Sequence, residues 1–435
     1  MRLFEKSLQG LDEYVQRRSM FKGMQGGKIF SESVDHFTGD PTLSASIDKP
    51  ELLIDFKEED INRYFPPSPL RFSEQKIGEH PDFDYLDHSQ TENHYAASLF
   101  MDIKGSTRLI DIVSSLEELR MLKDTILTLA IKVCHYFGGH VQRLQGDGIF
   151  VLFVRRGHHP NDAIIGALNA ASILTYFVKN DLGPAIERMG IERPIQIRTG
   201  IDFGESKDVL WSRYGIPGCD ELTTTSLHTD MAAKLQQKAS ANGIMIGDNV
   251  KNRLDIEDFY SIRTYAKDGE IKQDRNYSIS SHRKYPFWKF EWEKYLLSYS
   301  CTEKTVDGIT FKMPEKRLQC KRLDNGMLYS ENSYALPRDI GLEFIIINRH
   351  GEPLNNYPER KIQWKIVNTG SEARSKEMLD LEVTKENNPT SVEVSTAYLG
   401  HHKMQCIIGG VFGREILEFR VFVQPDKLLE MNNVA

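Results

Sequence analysis

The stretch His94–Thr107, HYAASLFMDIKGST, decides the fold together with Leu144–Phe153, LQGDGIFVLF. The first is an apolar run of strand length that ends on a carboxylate, Asp102. Lys104, Gly105, Ser106 and Thr107 follow as a tight turn, in which Ser106 or Thr107 can cap a helix. The second stretch, with HVQRL before it, reads as a hairpin of two strands joined through Gln145, Gly146 and Asp147. Between them runs SSLEELRMLKDTILTLAIKVCHYF, with Leu116, Leu119, Leu122, Ile126, Leu129 and Val133 along one helical face and Gly138 as its stop. A second helix is expected over about Asn161–Lys179, a strand in IQIRTGIDF, a third helix over Leu227–Ala241 and a strand in GIMIG. Strands alternating with helices, plus one hairpin, predict an α+β unit with helices laid over a mixed sheet.

Outward from this unit the pattern changes twice. Residues 1–90 read as a partly irregular leader, with a short amphipathic helix in Met1–Phe21 and punctuating stretches such as GMQGGK and YFPPSPLRF. After the unit, placed at 91–250, a linking segment at 251–306 ends in YPFWKFEWEKYLLSYS, expected to be an aromatic-rich helix between domains. From 307 to about 425 short β-type runs (LEFIIINR, KIQWKIVN, SVEVSTAYL, MQCIIGGVF, EILEFRVFV) alternate with turn residues, as in a small β-sandwich.

Composition narrows the function classes. The 435 residues suffice for two or three compact units, and 55 Lys plus Arg against 62 Asp plus Glu give a net charge of −7. A protein that coats polymeric nucleic acid needs a cationic surplus, so that class is excluded as a general role. The apolar run Ile149–Val154 is too short to cross a bilayer, and the first eighteen residues interrupt their apolar positions with charge, unlike a secretory signal. Five cysteines without a CxxC pair point to a reducing cytoplasm rather than to a disulfide framework or thiolate zinc. The chain contains no GxxxxGK[ST], HExxH or GxSxG.

The chemistry rests on Asp102 and Asp147. If their strands are neighbours, the two carboxylates converge on one sheet edge, a pair of hard oxygen ligands suited to magnesium or manganese and to a phosphate substrate. The backbone amides of Lys104–Thr107, at a helix start, offer donors to outer phosphates. Each Asp alone is equally a turn or capping residue; the two in these settings are more specific.

With these residues in view, 94–250 resembles the class III nucleotide cyclase catalytic domain, an α/β sandwich with a ferredoxin-like core. FMDIKGST and QGDG stand where that family keeps its metal-binding aspartates, 45 residues apart here. RTGIDFGES, with Arg198, Gly200, Ile201 and Gly204, resembles the next strand, and HTDMAAKLQ resembles the family's VNxAARL helix. The resemblance implies ring closure of a nucleoside triphosphate with loss of pyrophosphate, and two Mg2+ or Mn2+ ions on Asp102, Asp147 and the carbonyl of Ile103. It also implies a head-to-tail homodimer in which base-reading and transition-state residues come from the partner.

The departures matter. Arg143 stands where adenylate cyclases have an adenine-reading lysine, and Thr223 near the place of their aspartate. The transition-state Asn and Arg align with Asp230 and Lys234. Lys234 can still neutralise phosphate charge as a point charge, whereas an ionised Asp230 cannot donate as Asn does. For Lys234 the competing reading is a solvated helix residue, and for Arg143 a strand-edge ion pair.

WKIVNTGSEA and TAYLGHHKMQC resemble a sensor domain found behind nucleotide cyclases and nucleotidyltransferases of bacterial antiphage systems; His401 and His402 within it are expected at a turn or sandwich edge rather than on a metal. The combination resembles the Pycsar pyrimidine cyclases. It implies conversion of CTP or UTP to cyclic CMP or cyclic UMP, which activates a separate effector, with no membrane partner. Arginine's donor fork suits the adjacent O2 and N3 acceptors of cytosine and leans toward CTP. Two alternatives stand beside this: an adenylate or guanylate cyclase with unusual base contacts, and a catalytically silent nucleotide-binding module.

Overall fold

The computed structural model describes residues 2–16, 54–111, 113, 115–188, 190–191, 194–267, 271–306, 308–354, 361–383, 389–410 and 413–425. Its centre is a sheet built from β1 (Ala96–Ile103), β2 (Gly139–Gln145), β3 (Gly148–Phe153), β4 (Ile197–Gly204), β7 (Gly243–Gly247) and β8 (Lys284–Phe290). The strands lie in the order β8-β7-β4-β1-β3-β2, with Asn276–Ser278 outside β8. Only β4 and β7 among these pair in parallel. The run β4-β1-β3-β2 is the antiparallel 4-1-3-2 order of a ferredoxin-like core, as the resemblance implied.

Helix α1 (Leu116–Tyr136) starts on Ser115, whose hydroxyl accepts the Glu118 N–H at 3.1 Å; Glu117 and Glu118 sit in its first turn, where the helix dipole favours them. The cap is therefore not Ser106 or Thr107, which belong to a separate 3-10 turn, Ser106–Asp111. Leu122, Ile126, Leu129 and Val133 face the core as expected, but Leu116 is 69% exposed. Helix α2 (Pro160–Tyr176) is buried along its whole length. It runs on through a π turn to Arg188, and by length and composition that run could cross a membrane, yet its most apolar window lies wholly inside the fold. Helix α3 (Leu227–Lys238) lies against β4 so closely that a Cβ on Gly200 would stand 2.2 Å from the Ala232 carbonyl.

Two elements depart from expectation. A hairpin of β5 (Leu210–Ile216) and β6 (Cys219–Thr225) pairs with Glu92–Asn93 in a three-stranded sheet. The aromatic-rich segment is not one helix. Its first half is β8, which extends the central sheet beyond residue 250, and only Trp292–Leu296 is helical. Tyr285, Phe287 and Phe290 are buried while Trp288 also packs on the core, so both faces of β8 are apolar and alternation is lost.

One large core runs through most of this, with a smaller cluster of Met231, Leu235, Met245, Tyr285 and Phe287 between α3 and β8. Leu3, Phe4, Leu8 and Leu11 join it from residues 2–16, of which 9–16 are helical, and Tyr299, Ile309 and Phe311 join it from the far side of β8. The remainder of the expected Met1–Phe21 helix and the GMQGGK stretch fall outside the described residues. Each such fully buried Leu or Phe contributes about 1.5–3 kcal/mol relative to exposure. A second core fills a β-sandwich of a four-stranded sheet around Lys316–Arg322 and Gly341–Asn348 and a five-stranded sheet around Gly400–Gly410 and Gly413–Val423. His401 and His402 lie in an interior strand of the second sheet, not at a turn or edge. His401 stacks on Phe422 at 4.1 Å and meets Asn332 Oδ1 at 2.6 Å; burial holds both imidazoles low, that of His402 at about 4.

Candidate active site

Register brings the two aspartates together. Asp102 is paired across to Gly148 of β3, so Asp147, at the hairpin tip, projects beside it. Gly148 is required there: a Cβ would fall 2.7 Å from the Met101 carbonyl and 3.3 Å from Asp102 Cβ. This close approach sets the ends of β1 and β3 side by side and brings Asp102, Asp147 and the Ile103 carbonyl to one end of the sheet, all hard oxygen donors of the kind a magnesium- or manganese-class ion takes. Among the described residues no cluster of three His, Cys, Asp or Glu side chains forms an alternative metal site.

On its other side Asp102 is paired with Arg198 of β4. The guanidinium holds both carboxylate oxygens, Nε to Oδ1 at 3.0 Å and Nη2 to Oδ2 at 2.6 Å, in the fork geometry only arginine provides. The sequence pattern marked Arg198, but not this contact.

The turn after β1 corrects one expectation. The Lys104 N–H donates to the Gln196 carbonyl at 2.7 Å and is spent on the sheet end. The first bond of the 3-10 turn is Arg108 N–H to Gly105 C=O, so the amides of Gly105, Ser106 and Thr107 precede the helical bonding and remain as donors.

Arg143 is shaped by a β-bulge. The register of β2 against β3 shifts between Val141 and Arg143, leaving Gln142 as the extra residue. The Gln142 side chain turns to the Leu222 carbonyl, and Arg143 pairs with Glu221 on β6, Nε to Oε2 at 2.9 Å. The ion pair weighed against base contact is thus present, and its acid, Glu221, is a neighbour the sequence reading missed. Thr223 lies two positions along the same strand, on the same face, and is buried.

Asp230 and Lys234 stand one turn apart on α3, both exposed. Among the described residues neither makes a side-chain hydrogen bond or ion pair, so none joins them to Asp102 or Asp147. Beneath them the start of α3 is pinned from inside. His228 Nδ1 meets Asp202 Oδ2 at 3.0 Å, and the Tyr285 hydroxyl donates to the same oxygen at 2.7 Å. Burial pushes the Asp202 carboxyl up; His228 is lowered by burial but carried upward overall by Asp202.

Residues 291–416 match the Adenylyl/Guanylyl and SMODS C-terminal sensor domain family. A Cytidylate cyclase of Staphylococcus aureus is 37% identical over 344 residues, covering 77% of this chain and 79% of its own length. A Cytidylate cyclase of Escherichia coli is 30% identical over 79% of this chain and 75% of its own. Among solved structures, the adenylyl cyclase CyaB from P. aeruginosa is 18% identical, with TM-score 0.37 over 46% of this chain and 95% of that one. At the identity and coverage of the first relative, the chain belongs to the Pycsar-type cytidylate cyclase family.

Proposed function

We propose that the chain converts CTP to 3′,5′-cyclic CMP and pyrophosphate as a homodimer in the cytoplasm, and that the product activates a separate effector in antiphage defence. The observation that carries the reading is the Asp102/Asp147 cradle at one sheet edge, in a chain 37% identical to a cytidylate cyclase. The ribose 3′-oxygen forms a bond to the α-phosphorus, the bond from that phosphorus to the β-phosphate bridge breaks, and the hydroxyl proton passes to solvent. Asp102, Asp147 and the Ile103 carbonyl would hold Mg2+ or Mn2+, two ions per site, which supply Lewis-acid charge and ease ionisation of the hydroxyl. The amides of Gly105–Thr107 face the outer phosphates. Lys234 of a second copy neutralises charge on the leaving pyrophosphate, with Asp230 beside it.

Dimerisation is supported by what surrounds the edge. Ile110, Leu116 and Leu144 are exposed apolar side chains close in sequence to the two aspartates, and Tyr214 and Ile216 are exposed at the β5–β6 hairpin tip.

The lean to CTP rests on the Arg143–Glu221 pair. Cytosine presents a donor amine followed by two acceptors; a carboxylate beside a guanidinium presents an acceptor followed by donors. Uracil alternates acceptor, donor, acceptor and matches the pair less well. Thr223 lines the same face.

Incubating the protein with ATP, GTP, CTP and UTP separately, with manganese, tests this. Cyclic CMP is the expected dominant product. A dominant cyclic purine overturns the pyrimidine assignment, and no product from any triphosphate at high protein concentration returns the chain to a silent nucleotide-binding module.

A further inference from the structure

A cavity of about 260 Å³ lies where three parts of the chain meet: residues 62–66, Ser300–Cys301 after the short Trp292–Leu296 helix, and the strand Lys316–Arg322 with residues 328–331 of the β-sandwich. Its wall includes Arg63, Tyr64, Ser300, Arg317, Gln319 and Glu331. In a chain of net charge −7 this cavity is lined by two guanidiniums. Among the described residues neither Arg63 nor Arg317 pairs with a carboxylate. Arg63 lies over the Tyr64 ring at 4.8 Å, and the one side-chain partner of Arg317 is the Met313 sulfur at 3.9 Å. Two half-buried arginines of the neighbouring elements do have acids, Arg71 with Glu58 and Arg322 with Asp324.

Glu331, in the same wall, forms no ion pair with either. Its Oε2 already accepts the Ser300 N–H at 2.9 Å and hydroxyl at 2.5 Å, and its Oε1 the Arg420 N–H at 3.1 Å. The Gln319 side-chain amide, a paired donor and acceptor, has no protein hydrogen bond among the described residues. We infer that this cavity is a second small-molecule site, taking a phosphate-bearing ligand of mononucleotide size: Arg63 and Arg317 meet the phosphate, and Gln319 meets the edge of a ring seated toward Tyr64. Two guanidiniums match phosphate oxygens in planar forks, and an amide reads a donor–acceptor edge in the same way. Because its walls come from both the cyclase core and the sandwich, an occupant touches both units at once.

The test is calorimetric binding to full-length Asp147→Asn protein in EDTA, which silences the metal-dependent site and makes the result independent of whether the chain cyclises CTP. The probes are cyclic CMP, CMP, inorganic phosphate and uncharged cytidine. Expected are saturable binding of the two nucleotides and at least tenfold weaker binding of cytidine. Arg63→Gln/Arg317→Gln should lose nucleotide binding with an unchanged thermal transition, and Gln319→Ala should weaken the nucleotides but not phosphate. Absence of nucleotide binding overturns the proposal, as does nucleotide binding that survives the double substitution. Phosphate binding as tightly as the nucleotides overturns the mononucleotide assignment.

Discussion

The catalytic edge and the junction between cyclase core and β-sandwich are both rich in polar side chains, yet the two are finished differently. At the edge, Asp147, Asp230 and Lys234 meet solvent, and Arg143 and Glu221 hold each other at the surface. At the junction one set of polar groups is enclosed and satisfied, set apart from the cavity that holds Arg63, Arg317 and Gln319. The Asn332 carbonyl accepts the Asn169 amide at 3.0 Å, Asn169 Oδ1 accepts the hydroxyls of Tyr295 and Tyr299 at 2.7 Å each, and Asp162 accepts the Ala335 N–H at 2.9 Å. An unfinished polar surface costs little in water, whereas an unfinished buried one costs the desolvation of every orphaned group. Under the proposed function, substrate, metal and a second chain would complete the edge, whereas the Asn169–Asn332–Tyr295–Tyr299 set at the junction is complete within one chain.

Substitutions separate the two regions. The largest effect is expected from Asp147→Ala, which should lower the initial rate of CTP cyclisation on the order of 10³-fold, the scale of losing a main electrostatic anchor of the transition state. The thermal transition should stay in place, and turnover that survives means the cradle is not the catalytic centre. At the junction Asn332→Ala should do the reverse. Removing Oδ1 orphans the buried His401 nitrogen and places alanine at a φ of 51°, for a loss of about 2–3 kcal/mol in denaturant unfolding.

The joint should also respond to pH. Burial raises the Asp162 carboxyl to about 7, from an ordinary value of 3.8. A carboxyl raised in the fold holds its proton there while the unfolded chain has released it, so its contribution falls as pH rises from about 4 to about 7. Asp162→Asn, compared with the parent at pH 5.5 and pH 8, should gain on the order of 2 kcal/mol of relative stability at the higher pH. An equal difference at both values would show that the carboxyl is ionised throughout. The smallest effect belongs to the edge: Glu221→Gln should reduce the preference for CTP over UTP about tenfold, some 1.4 kcal/mol, and leave stability nearly unchanged. An unaltered preference would leave the Arg143–Glu221 pair as a strand-edge ion pair and nothing more.

What the sequence made legible follows the range of the interactions. Strands β1 and β3 were readable because each is a local apolar run bounded by turn chemistry, and Asp102 and Asp147 because they end those runs. The 4-1-3-2 order came from the resemblance, since no local pattern dictates which strands pair. The β5–β6 hairpin carried a signal that went unread, Pro217-Gly218 between β-forming residues. The contact of Arg143 with Glu221 spans 78 positions and depends on the bulge at Gln142, which no spacing rule reveals. Strand β8 was hidden because aromatic residues occupy both its faces.

The shared core has a consequence for how the protein is made. Phe4 packs edge-on against Phe177 at 5.2 Å inside the cyclase unit, while Phe65 packs both on Phe137 at 6.0 Å and on Phe311 at 5.6 Å, so residues from before the cyclase sheet bury against the unit and against a segment that follows it. During synthesis a nascent chain that has reached Gly247 holds both Asp102 and Asp147 but lacks β8 and the Tyr299–Phe311 segment, which belong to the same core. Domains usually finish folding as they emerge. Here the segment that leads into the sandwich shares the core of the cyclase sheet, so a ribosome-bound fragment ending at Gly247 carries Asp102 and Asp147 on a sheet that still lacks β8.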